Sequence, residues 1–328
     1  MNRRDIVLAL AALGAAPLAA RAQQGRRIPV IGFLHPGSPG AIAGPSSVAT
    51  GLRDGLRDIG YLEGENIKIE YRWAQGKPDM LPALAHELVG IKVDLIVAVS
   101  PASVRAAKAA TRDLPIVAHD LETDPVASGL VASLARPGGN MTGLFLDLPD
   151  MAAKWLQLVR EAVPGVRRVA VLWDANTGES QLRAITPAAK ATAVELQILE
   201  YRDLSGMAPA LESSLKARPQ ALVLLGSPLI NRWADRVAGF AARHRLPGIS
   251  PFRSFAERGG LMSYGVNLVV MYRGLAPIIA KILKGSRPGD LPIEQPTHFE
   301  FIVNLKAAKA LGLAIPGSLL LRADEVIE

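Results

Sequence analysis

The chain has 328 residues, with 37 Lys and Arg against 30 Asp and Glu for a formal net charge of +7, and that length is enough for two domains of ordinary size. It contains no cysteine, which excludes disulfides, thiolate metal sites and thiol catalysis. The basic excess is scattered, without a Lys/Arg run interleaved with aromatics, so nucleic acid is not an expected partner.

In chain order, residues 1–22 read as a secretory signal: Arg3 and Arg4 make a basic start, Ile6 to Ala20 is apolar, and Ala20-Arg21-Ala22 is a small-x-small cleavage site. The apolar part is too short to span a bilayer comfortably, and the paired arginines hint at the export route for folded proteins. The mature protein is therefore expected to begin near Gln23 and to be periplasmic, with no further apolar segment long enough for a membrane span.

Ile28 to Leu34 is a buried-type strand that ends in the loop His35-Pro36-Gly37-Ser38-Pro39-Gly40. The loop has neither the dinucleotide fingerprint nor a Gly-Lys-Ser/Thr ending. It is either a ligand-lining loop, with Ser38 as its candidate, or a plain connection. Ser46 or Ser47 can cap a helix through Gly51 to Ile59. Ile67 to Trp73 is the next strand and Leu81 to Val89 the next helix.

Asp94 to Pro125 reads as strand, helix, strand. Ser100 suits the N-cap and Pro101 the first helical position, so the first strand delivers a helix N-terminus, which attracts anions. Asp120 stands at the C-terminal end of the second strand, where open parallel sheets place their ligands. It is a candidate grip for an ammonium group, or a solvated turn carboxylate. Asp124, before Pro125, reads as an N-cap. His35 and His119 follow strands of the same lobe and can line a pocket.

The turn Arg136 to Asn140 leads to the strand Thr142 to Leu146, a helix around Trp155 to Ala162 and the strand Val169 to Trp173. Asp174 to Gly178 is the counterpart of the His35 loop, and Asp174 either caps a helix or faces the cleft. Gln220 to Phe252 then repeats the Asp94 to Pro125 unit, with Ser227-Pro228 in place of Ser100-Pro101. Matched flanks keep the same order, so the chain is expected to form two similar Rossmann-like α/β lobes with parallel sheets. Leu261 to Gly265 is a strand, Leu268 to Leu283 a helix, Gly285 to Pro296 a Gly/Pro-rich linker and Phe299 to Val303 a last strand before a helical tail with Gly312 as its stop.

Ser100 and Ser227 are expected to start helices facing one another across a cleft, with a ligand carboxylate held at one of them. Phe252 and Tyr264, with Phe255, can form an apolar or stacking wall, or core. Catalytic constellations are thin. Leu261-Met262-Ser263-Tyr264-Gly265 has leucine where a nucleophile elbow needs glycine, and the five histidines show no metal spacing. No catalytic residue, metal or cofactor is expected.

Several motifs carry a resemblance: Pro115-Ile116-Val117, Asp124-Pro125-Val126, the long run Ser128 to Asn140, Gly260 to Gly265, and Phe299 to Lys306 with Ala307 to Leu313. With the ending Ile315-Pro316, Ser318 to Leu320 and Arg322 to Ile327, they resemble the periplasmic substrate-binding proteins of ABC importers, in the branch related to tryptophan-binding proteins. The resemblance covers essentially the whole mature chain.

It implies a type I periplasmic binding protein fold, two lobes joined by three crossing segments, with a small molecule caught between them by hinge closure. Lobe 1 would be residues 26–146 plus 253–294, and lobe 2 residues 147–252 plus 295–328. The implied partners are a small-molecule ligand and an ABC permease with its ATPase in the inner membrane, the protein itself being a monomer. Members of that family often carry Gly-Thr where this chain has Ser100-Pro101, so the ligand is not carried over. The residues suit a small carboxylate-bearing ligand, an amino acid or an aromatic or branched organic acid. The rival readings are a periplasmic enzyme or a ligand sensor on the same scaffold.

Overall fold

A computed structural model describes residues 27–39, 48–146 and 149–328 of the protein. The expected signal segment and the capping serines Ser46 and Ser47 lie outside the described residues.

The first sheet holds β1 (Val30–His35), β2 (Lys68–Trp73), β3 (Leu95–Val99), β4 (Ile116–Asp120) and β5 (Met141–Phe145). Its order is β2-β1-β3-β4-β5 with every pairing parallel. All five residues of β3 and of β4 are buried, as strands covered by helices on both faces must be, and this is why they read as unbroken apolar runs. Gly143 in β5 lies so close to β4 that a Cβ would meet the Ala118 carbonyl oxygen at 2.0 Å. Only glycine fits there.

The second sheet holds β6 (Arg168–Asp174), β7 (Glu195–Tyr201), β8 (Ala221–Leu224), β9 (Gly248–Ser250), β10 (Met262–Gly265), β11 (Glu300–Asn304) and β12 (Glu325–Ile327). The run β7-β6-β8-β9-β10 repeats the order of the first sheet. On its far side β11 pairs antiparallel with β10, and β12 parallel with β11. In each sheet the strand order reverses next to the first strand, and ligands of open α/β sheets lie beyond the C-terminal ends of the strands at that point.

The chain passes between the sheets three times. It leaves the first after β5 for the helix Pro149–Ala162, returns after β10 into the helix Leu268–Leu283, and leaves again between Glu294, which bridges to Leu144, and β11. Residues 253–265 were expected with the first lobe and lie instead in the second. Their strand β10 pairs with β9 and β11, and Phe255 of the helix Arg253–Glu257 fills the space over Gly248 and Gly260. The expectation treated Pro251-Phe252 as a lobe boundary, whereas the chain continues within one sheet until Gly265.

The helix Leu268–Leu283 is fastened to the first lobe by the helix Val48–Asp58. A Cβ on Gly51 would stand 2.5 Å from the Val269 carbonyl oxygen, and one on Gly55 2.5 Å from that of Arg273. Two glycines one turn apart let the two backbones touch, which sets the position of the crossing helix and of the side chains it presents toward the cleft.

Candidate functional site

The strand ends of the two sheets face one another, and between them lies a cleft that encloses, with its mouth, about 560 Å³ free of protein atoms. The first lobe contributes His35 at the end of β1 and Gly37 beyond it, Val99 at the end of β3 and Ser100 beyond it, His119 in β4 with Leu121 and Glu122 after it, and Leu268 and Tyr272 from the crossing helix. The second contributes Pro228, Asn231 and Arg232 after β8 and Phe252 after β9. The lobes are closed on one another. Ser180 Oγ donates to the Glu122 carbonyl oxygen at 3.0 Å, and Arg105 Nη2 to that of Asn176 at 2.9 Å.

The residues singled out from sequence divide. Ser100 and Phe252 line the cleft, while Pro101 and Asp174 line a smaller gap beside it, where the start of the helix Pro101–Ala110 meets the 174–177 turn of the other lobe. Ser38, Asp120, Ser227 and Tyr264 are not among its lining residues.

Each departure has a local cause. Asp120 is fully buried and turns back on its own chain, accepting from the Glu122 N–H at 3.0 Å and the Thr123 N–H at 3.1 Å. It is a turn carboxylate. Glu122, two residues on, takes the place in the cleft. Asp174 caps the turn after β6 through the Asn176 N–H and accepts from Ser227 Oγ at 2.6 Å. Ser227 in turn accepts from the Leu229 N–H. The hydroxyl expected to hold a ligand carboxylate is therefore used within the lobe. Tyr264 packs against Phe299 and Phe301, and its carbonyl accepts from the Trp155 indole at 2.7 Å, beside the crossings.

Ser100 does not cap its helix through its side chain, contrary to its expected role. Its backbone has φ +82°, a conformation that costs energy in a residue other than glycine and that clusters at functional sites. Its Oγ is buried without a hydrogen-bond partner among the described residues. Asp124 caps a turn rather than a helix, through the Val126 and Ala127 N–H groups.

Two ionisable groups face the cleft from opposite lobes. Glu122 is 2% exposed; burial first, then the neighbouring Asp120 and Asp174 carboxylates, raise its pKa well above the ordinary range. Arg232 ends the short helix Pro228–Arg232, and its Nη1 is buried with no hydrogen-bond partner among the described residues. The two histidines are neutral. Burial, His119 and Arg232 together lower His35 to about 3. Burial lowers His119 to about 4, against the hydrogen bond its ring makes with its own backbone. His35 Nδ1 accepts from the Gly37 N–H at 2.8 Å, which leaves the ring proton on Nε2. Phe252, Leu268, Tyr272, Leu121 and Val99 supply the apolar remainder.

A family model described as ABC transporter substrate binding protein matches residues 41–327. A tyrosine-binding protein of Clostridioides difficile (strain R20291) is 29% identical over 270 residues, which cover 80% of this chain and 76% of that protein. Among solved structures, a conserved domain protein from Vibrio cholerae superposes with a TM-score of 0.83 at 25% identity, over 92% of this chain and 100% of its own. An ABC domain from Streptococcus pneumonia in complex with L-Trp superposes with a TM-score of 0.81 at 24% identity, over 91% of this chain and 99% of its own.

Proposed function

The chain belongs to the family of ABC transporter substrate-binding proteins, and on that premise we propose that it captures an amino acid with a large, mainly apolar side chain for import. Proteins of this family are extracytoplasmic, bind a small molecule and serve an ABC transporter. Two α/β lobes of mostly parallel strands, closed over a cleft, are the fold of type I periplasmic binding proteins.

One observation carries the ligand class: Glu122 from one lobe and the unpaired Arg232 from the other face the same apolar cavity. An amino acid brings a carboxylate for the guanidinium, an ammonium for Glu122 and a side chain for the wall of Phe252, Leu268 and Tyr272. Charge-assisted hydrogen bonds of this kind are the strong ones. Because the two groups come from opposite lobes, the zwitterion makes its full contacts only in the closed state, and that difference is what drives closure. The relatives named for tyrosine and for bound L-Trp support the same class.

The finer reading is a periplasmic monomer, released from its signal near Ala22, that hands its ligand unaltered to a permease and ATPase. Calorimetric titration of the mature chain with the common L-amino acids tests it. Single-site binding with no chemical change of the ligand on prolonged incubation is expected. Multiple turnovers of altered ligand, or no amino acid bound at millimolar concentration, would overturn it.

A further inference from the structure

Two polar atoms on the first-lobe wall of the cleft are left over once the zwitterion has been placed. Ser100 is 4% exposed and His119 3% exposed, both line the cavity, and neither Ser100 Oγ nor His119 Nε2 has a hydrogen-bond partner among the described residues. They are neighbours. Val99 pairs with His119 across β3 and β4, and the Ser100 N–H donates to the His119 carbonyl at 2.9 Å. The imidazole is held in plane by Tyr272, on which it stacks at a centroid distance of 4.2 Å. Buried polar atoms are paired in nearly all folded proteins, so two adjacent exceptions on a cavity wall indicate a partner that is not part of the chain.

Resting on the amino-acid reading above, we propose that Ser100 and His119 form a specificity subsite for a hydroxyl group at the far end of the ligand's side chain, so that the ligand is a hydroxylated aromatic amino acid. The chemistry of the pair selects the group. A serine hydroxyl both donates and accepts, and a neutral imidazole offers one ring nitrogen of each kind. The His119 ring already donates to its own backbone, so Nε2 is its free acceptor, and a hydroxyl can donate to that nitrogen while accepting from the serine. A carboxylate, which can only accept, has no donor for that nitrogen, and an indole N–H can donate to it but leaves the serine proton without an acceptor. Burial keeps His119 uncharged at neutral pH, which removes any electrostatic preference for a second anion here. An aromatic frame suits the rest of the route, because Phe252, Leu268, Tyr272 and Leu121 offer apolar surface and no further polar anchor is needed along it.

L-Tyrosine and L-phenylalanine differ by this hydroxyl alone, so titrating both into the wild-type chain, Ser100→Ala and His119→Phe tests the assignment. On the wild type, tyrosine should bind at least about tenfold tighter than phenylalanine, as expected where a site built around a hydroxyl meets an analogue lacking it. Each substitution should erase most of that preference by weakening tyrosine while leaving phenylalanine within about threefold of its wild-type affinity. Equal binding of the two amino acids to the wild type, or variants that weaken both alike, would overturn the subsite and leave the amino-acid reading standing. Failure of the wild type to bind either one while it binds another amino acid would overturn the subsite alone, and failure to bind any amino acid would overturn that reading and the subsite with it. Should His119→Phe not fold, as judged by its melting curve, the Ser100→Ala comparison decides alone.

Discussion

Ser180 Oγ of the second lobe donates to the carbonyl oxygen of Glu122 in the first at 3.0 Å, so a residue that presents its carboxyl to the cleft is also the one its backbone uses to hold the lobes together. With the Arg105 bond to Asn176, this makes closure depend on polar contacts at the rim as well as on what lies inside. The interlobe contact exists only in the closed state, and removing it shifts the open–closed equilibrium without touching a ligand atom. Ser180→Ala should weaken amino-acid binding about two- to tenfold, corresponding to a net hydrogen bond of roughly 0.5–1.5 kcal/mol, while the melting temperature of the free protein stays nearly unchanged. Titration calorimetry with small-angle scattering checks both. Unchanged affinity with an unchanged envelope would mean that the bond does not bias closure.

Arg232 is a half-buried cation whose Nη1 has no hydrogen-bond partner among the described residues, and such a group is costly until an anion arrives. Arg232→Gln should therefore act in opposite directions on two measurements. Affinity for an amino acid should fall about ten- to hundredfold, as for loss of a hydrogen bond to a charged group worth roughly 1.5–3 kcal/mol. The free protein should melt at the same temperature or higher. A variant that loses stability and keeps its affinity would place the carboxylate elsewhere.

Glu122→Gln separates the titration of that carboxyl from the rest of the cleft. Its pKa in the folded protein is raised by burial, Asp120 and Asp174, so the folded state holds its proton to higher pH than the unfolded chain does. Stability from this group is then fully present below the ordinary glutamate range and is lost as pH rises through the folded value. A neutral glutamine carries no such loss. The variant should melt higher than the wild type at pH 8, and the difference should shrink steadily toward pH 4. Asp120, raised to about 6 mainly by burial, works in the same sense in both proteins. His35 and His119, lowered to about 3 and about 4, work in the opposite sense, because the unfolded chain protonates them first as pH falls below 6.5. The histidine contributions cancel in the comparison, whereas Asp120, which interacts with Glu122, loses a neighbouring carboxylate in the variant and adds to the difference in the same sense. A melting difference that does not change with pH would remove the claim that Glu122 is held protonated.

Much of the fold is legible from the sequence because parallel strands buried on both faces show as bare apolar runs. The β3 and β8 segments, each followed by Ser-Pro and a helix, betray the duplication that the matching sheet orders display. The charged residues of the cleft are harder to find. Strand alternation suggests that Asp120 and Glu122 point the same way, but β4 ends at Asp120, whose side chain folds back on the two N–H groups that follow, and only Glu122 reaches the cavity. Arg232 is hidden for a similar reason. Its stretch reads as one continuous helix, whereas the helix breaks at Trp233 and leaves Arg232 at the end of a short turn. Tyr272 falls on the buried face of an amphipathic helix, and no periodicity distinguishes a core tyrosine from one that borders a cavity. The histidine pair is the exception, since strand ends in an open sheet are where ligands go and His35 and His119 stand directly at two of them.

The glycine contact between the crossing helix and the first lobe connects packing to the site. Gly55 faces the Arg273 backbone, where a Cβ would lie 2.5 Å from the carbonyl oxygen and 3.1 Å from the Ala276 methyl. Backbone cannot rotate away as a side chain can, so Gly55→Ala must separate the helices Val48–Asp58 and Leu268–Leu283. Overpacking of this kind costs about 1–3 kcal/mol, more than the gain in helix propensity of roughly 1 kcal/mol that alanine brings over glycine. The same displacement moves Tyr272, which lies on the second of these helices and stacks on His119. The variant should be destabilised in urea and should also bind its amino acid more weakly, although residue 55 is not among the residues lining the cleft. Gly60→Ala provides the control. That glycine has nothing within 4 Å of its added Cβ and a φ of +86°, so it should lose stability through backbone strain alone and keep its affinity. Equal affinities in the two variants would mean that the crossing helix does not set the cavity wall.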